Sequence, residues 1–167
     1  MSNIEEIVLR AGDLRKDGQL NEAARILRLA SQSHSDHWPL WAELGHILVA
    51  KTEYEEAHES FVKAIDLNPD MSGLWNNLGY VRKEIGDIDG AIEATLKSKS
   101  LSVTETDMNV ANYNLACYYC LAGNRERSIS CLSEALQADS SMKEWAKQDS
   151  DFDSIREDED FIMLVKE

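Results

Sequence analysis

A fixed interval constrains this chain more than any other feature. Trp41, Leu44, Gly45 and Ala57 return as Trp75, Leu78, Gly79 and Ala91, each 34 residues further on. Ala23 extends the alanine series backwards by the same step, and Gly18 stands two steps before Gly86. A period of this length marks one supersecondary unit stacked on copies of itself. Such a unit cannot bury its apolar side alone, so the copies share a continuous core and leave an extended groove. A binding scaffold follows from that architecture more readily than an enzyme.

With the tryptophan held at the fourth place, repeats run 4–37, 38–71 and 72–105 without a gap. A fourth runs 109–142 after a three-residue insertion, Thr106 to Met108. Each reads as two helices around a short turn, and the turns align as DGQL, KTEY, IGDI and AGNR. Glycine suits a helix end that needs a positive φ, and it stands at Gly18, Gly86 and Gly123. Thr52 takes that place in the second repeat, so that turn must be built without glycine. Apolar residues keep helical spacing, as in Trp41, Leu44, Leu48 and again Ala57, Phe61, Ala64. Gly45 costs about 1 kcal/mol relative to alanine in a helix, which is sensible only where another helix crosses it. Asp66-Leu67-Asn68-Pro69-Asp70 ends the second helix of its repeat, because proline disfavours helix at the residue before it.

This pattern resembles the tetratricopeptide repeat family. The second repeat supplies Trp41, Leu44, Gly45, Ala57, Phe61, Ala64 and Pro69, with Leu48 where the family has tyrosine. The third keeps Trp75, Leu78, Gly79 and Ala91 but has Arg82, Thr95, Ser98 and Val103 elsewhere. The fourth keeps Leu115, Tyr119 and Ala135, and the first keeps Ala23 and Ala30. The resemblance implies an all-α, right-handed superhelical solenoid of about four helix-turn-helix units over residues 1–142. Residues 143–167 are not a fifth repeat; they read as a C-terminal helical cap of the same domain, with Trp145 placed on the last repeat.

In this family the first helix of each repeat lines the concave face. Mapped onto this chain, that surface offers Ala42, Glu43 and His46, then Asn76, Asn77, Tyr80 and Lys83, then Tyr113, Asn114 and Cys117. Asn77 and Asn114 hold the same place in adjacent repeats and resemble backbone-binding asparagine ladders. An amide carries both a donor and an acceptor, so it can pair with a peptide of any sequence. The chaperone-tail clamp of some members needs lysine and arginine here for charge-assisted bonds to a carboxylate, and neither register supplies them.

Other chemistry has weaker support. Cys117 and Cys120 form a CxxC, but mid-helix and with no histidine nearby in sequence, so packing as small apolar residues is the simpler reading. Asp149, Asp151, Asp153 and Asp160 fall at calcium-loop spacing, yet Ser154 stands where such a loop needs glycine, and a solvated acidic cap is expected. No catalytic motif, cofactor or metal site is expected.

The formal charge of −14 disfavours nucleic acid and anionic membrane and favours a protein or peptide partner, basic or neutral. No 18-residue apolar run or signal-peptide order is present, and three cysteines in one short stretch fit a reduced cytoplasmic setting. The expected function is therefore a non-enzymatic interaction module that binds a peptide or protein segment in the groove, as adaptor or assembly scaffold. A dedicated chaperone for a secreted or membrane protein, of the type III secretion kind, is the alternative. The sequence leaves self-association open.

Overall fold

The computed structural model describes residues 4–166, and among these every regular element is helical. Four helical pairs come first: α1 (Ile4–Lys16) with α2 (Leu20–Ser31), α3 (Trp38–Ala50) with α4 (Tyr54–Leu67), α5 (Ser72–Glu84) with α6 (Ile88–Leu101), and α7 (Glu105–Leu121) with α8 (Arg125–Ala138). The tail follows as α9 (Met142–Gln148), a 3-10 helix (Ser150–Ile155) and α10 (Glu159–Val165). Each helix packs chiefly on the ones before and after it, which is the contact pattern of a solenoid.

The repeated residues explain the pairing. An added methyl at Gly45 would lie 2.7 Å from the Phe61 ring, so the missing side chain is what lets α3 and α4 close. At Gly79 the same methyl would strike the Thr95 hydroxyl, which already donates to the Ala91 carbonyl at 2.9 Å. In the fourth pair Ser128 donates across to the Ala116 carbonyl at 2.8 Å. Trp41 and Trp75 are anchored alike: each indole N–H donates to a carbonyl six residues earlier, Ser35 at 2.8 Å and Pro69 at 2.7 Å.

The turns also follow the alignment. Gly18, Gly86 and Gly123 have φ of 75°, 84° and 74°. Thr52 adopts φ 59° in the same place, so the turn keeps its shape and a side chain bears the left-handed strain. Asp87, Thr104 and Asn124 cap α6, α7 and α8 by accepting backbone N–H bonds.

The three inserted residues, Thr106 to Met108, are helical and lengthen α7 by a turn at its N-terminus. One expectation needs correcting. Trp145 does not pack on the last repeat; it is 64% exposed, because the face of α9 that buries Met142 and Ala146 turns it outward.

Candidate functional site

The first helices of the pairs present a chain of polar contacts along one face. Arg15 of α1 donates to Glu43 of α3 at 2.7 Å. His46, one turn along α3, places Nδ1 3.6 Å from the other oxygen of Glu43. Its Nε2 accepts from the Asn77 side chain of α5 at 2.8 Å, so the ring proton belongs on Nδ1, towards the carboxylate. Burial alone would raise the Glu43 carboxyl, but His46 and Arg15 outweigh it and hold the group below its ordinary value. Further along, Asn114 of α7 donates to Asn76 of α5 at 2.9 Å. The two asparagines that share a place in adjacent repeats thus bond to different neighbours rather than forming a bare ladder.

Tyr80 stands partly exposed beside this line, its ring edge-on to Tyr54 at 6.5 Å. Burial, with Glu84 nearby, pushes its hydroxyl up to about 12, so it remains a neutral donor at physiological pH. The Lys83 ammonium lies 5.6 Å from the centre of the same ring.

Beyond Lys83 the face changes character, because the tail lies across it. Asp149 accepts from the Tyr113 hydroxyl at 3.1 Å and from the Cys117 thiol at 3.6 Å. Phe152 is fully buried, packed edge-on to Tyr113 at 5.9 Å and tilted against Phe161 at 5.5 Å. Ser154 meets the Cys120 sulfur at 3.2 Å, and Asp151 pairs with Lys83 at 3.4 Å. Arg156 locks the segment by donating to the carbonyls of Lys147 and Asp149.

Two residues assigned to an open groove are therefore closed off. Cys117 is 3% exposed because the 3-10 helix covers it, and Ala42 is 7% exposed because it lies in the core where α1 crosses α3. Glu43, His46, Asn76, Asn77, Tyr80, Lys83, Tyr113 and Asn114 keep some exposure, though Tyr113 faces the tail. Sequence reasoning missed Arg15 and the docking of Asp149, Asp151, Phe152 and Ser154. The available signal was the apolar character of Val110, Tyr113, Cys117 and Cys120, which asks for a cover.

Cys117, Asp149 and Asp151 bring three ligand atoms within 4.8 Å of one another. Burial, reinforced by the two aspartates, pushes the Cys117 thiol far up, so it acts as a donor to Asp149. Burial likewise raises Asp151 above its ordinary value despite the opposing Lys83. The cluster is a hydrogen-bonded seat for the tail. The acids at calcium-loop spacing diverge: Asp153 pairs with Arg156, and Asp160 with Arg125.

Comparison with known proteins agrees with the repeat geometry. The tetratricopeptide repeat family matches residues 38–71, the second repeat. A tetratricopeptide repeat-containing protein of Caenorhabditis elegans, trd-1, is 28% identical over 94 residues. The match takes in 56% of this chain and 12% of that protein, so this chain spans only a small part of its length. The second repeat is thus similar to a tetratricopeptide repeat, and the helical pairs around it share its fold. Solved structures show the same fold. The chain superposes on MamA with a TM-score of 0.78 at 17% identity, covering 93% of this chain and 90% of the other. It superposes on YrrB, described as having an unusual peptide-binding site, with a TM-score of 0.75 at 16% identity, covering 95% and 80%. Among the described residues of the repeat protein no helix is long and apolar enough to cross a membrane.

Proposed function

We propose that the protein is a non-enzymatic interaction module that seats a peptide or protein segment on the concave face formed by α1, α3 and α5. The reading rests chiefly on one observation: the chain's own tail already lies as a short polar segment across the equivalent face of α7. It is held there by Asp149, Asp151 and Phe152 through side chains that the repeats supply. The face therefore has the shape and donors to hold a segment, and its N-terminal half is left open for another chain. There His46 and Asn77 offer polar partners, while Tyr80 offers rigid aromatic area at low entropic cost. YrrB, a structural neighbour, is described as a peptide binder, which accords with this use of the fold. A basic segment would gain association rate from the net charge of −14. The role is that of an adaptor or assembly scaffold, and the three free thiols suit a reducing cytoplasmic setting.

The test is a lysate capture read by mass spectrometry, wild type beside His46→Ala, Asn77→Ala, Tyr80→Ala, after circular dichroism has shown equal folding. A partner held by wild type and lost by the variant supports the reading. A partner retained by both moves the site off this face. A single aggregation-prone partner in a tight one-to-one complex would instead favour the dedicated-chaperone role.

A further inference from the structure

The fourth repeat departs from the second and third where they carry tryptophan. Trp41 and Trp75 fill the space at the base of their pairs and spend their N–H groups on carbonyls. Asn112 stands in that place in the fourth repeat. Between the first turns of α7 and the end of α8 lies a cavity of about 540 Å³. Its walls include Met108 and Met142, its floor Asn109 and Asn112, and its rim the carboxyl groups of Glu105 and Asp139.

Two observations say what such a cavity would take. Asn109 and Asn112 are each only 6% exposed, and the carbonyl oxygen of each amide has no hydrogen-bond partner. Asn109 spends its N–H on nothing better than the Met142 sulfur, at 3.6 Å. A buried acceptor left unpaired costs the full loss of its hydration, so two together favour a donor. The lining also contains two carboxyl groups and neither lysine nor arginine. The Ser141 side chain, with its backbone N–H, holds the Asp139 carboxyl below its ordinary value, so that carboxylate stays ionised.

We infer that this cavity is a second binding site, which takes the alkyl-guanidinium or alkyl-ammonium side chain of a partner polypeptide. The alkyl stem lies along the adaptable methionines, as arginine and lysine stems do on apolar surface. The cationic head donates to the amide oxygens and the carboxylates, bonds strengthened by charge. The site is separate from the concave face. At about 100° per residue, Glu105, Met108, Asn109 and Asn112 share one side of α7, centred roughly a right angle from Tyr113 and further from Cys117, with Asn109 nearest the concave side.

The test is a titration of the full chain with N-acetyl-arginine amide, followed by the side-chain amide resonances of Asn109 and Asn112 in nitrogen-proton correlation spectra. N-acetyl-glutamine amide and N-acetyl-tryptophan amide serve as the uncharged and aromatic comparisons. The expected result is a saturable shift of both asparagines with the arginine probe, at a dissociation constant on the order of millimolar. The glutamine probe should bind at least tenfold more weakly. Asn112→Trp, which restores the residue of the other repeats, should abolish the shifts at Asn109. Glu105→Gln with Asp139→Asn should weaken binding tenfold or more in a chain of unchanged helical content, which keeps the test decisive if the tryptophan variant fails to fold. No saturable shift would mean that water alone satisfies the amides, and would overturn the proposal. Preference for the tryptophan probe would overturn it as well, by making the cavity a socket for an aromatic ring.

Discussion

The two halves of this solenoid use the same repeat to different ends. In the N-terminal half, α1 to α5 share one core, with Leu40, Ile47, Leu48, Phe61 and Leu78 at its centre, and the concave side chains bond to one another across helices. In the C-terminal half, α7 to α10 build a second core in which Phe152 and Phe161 of the tail take part, and the concave side chains bond to the tail. Helix α6 is the seam: Ala94 belongs to the first core and Ala91 to the second, while Thr95 and Ser98 put polar groups where the second repeat has Phe61 and Ala64. The contrast teaches that the same face serves as surface or as core according to what the chain lays over it.

The sharpest way to break the comparison is Phe152→Ala. If the tail is core in the second half, this should cost about 3–5 kcal/mol and strip amide exchange protection from α7 while sparing α3. An unchanged denaturation midpoint would reduce the tail to a detachable ligand. Gly45→Leu is the counterpart in the first half. Forcing a side chain into the Phe61 ring should cost about 1–3 kcal/mol, read as a lower melting midpoint with the deficit centred on α3 and α4. Thr52→Gly should stabilise the first half by about 0.5–1 kcal/mol in a denaturant titration, because glycine relieves the left-handed strain at φ 59° at some cost in chain entropy. A loss of stability there would show that the threonine side chain does more than tolerate the turn.

Acid should act on the halves with opposite sign. The Glu43 carboxyl is held below its unfolded value, so its contribution is present above that value and fades as pH falls through the folded one. The Asp151 carboxyl is raised, so the folded state binds the proton more tightly; its penalty is full above the folded value and is relieved as pH falls through it. Between neutral pH and the ordinary carboxylate range, exchange protection corrected for intrinsic rate should rise around the tail while α3 holds steady, and below that range it should fall around α3. Equal changes in both would contradict the assignment.

Much of the fold is legible in the sequence because it rests on local and periodic signals. Trp41 and Trp75 set the frame, Gly18, Gly86 and Gly123 mark turns with positive φ, and Asn68-Pro69 closes α4. The tail was harder to read. Its seat joins Asp149 to Tyr113 and Cys117 across more than thirty residues, and no periodicity links them. Mapping the concave face by position made Cys117 a surface residue, whereas contact with the 3-10 helix makes it core. Ala42 failed for a related reason, since a methyl group at a helix crossing is buried whatever face it nominally occupies.

The most direct test of the divided face is timed alkylation of the native protein with iodoacetamide, each cysteine followed by peptide mass spectrometry. Cys117 and Cys120 lie beneath the 3-10 helix, while Cys131 on α8 is half-buried beside Lys99 and Glu134. The account predicts that Cys131 is modified first and that Cys117 and Cys120 remain protected until the protein unfolds. Modification of Cys117 and Cys120 as fast as Cys131 under native conditions would show that the tail does not occupy the face of α7.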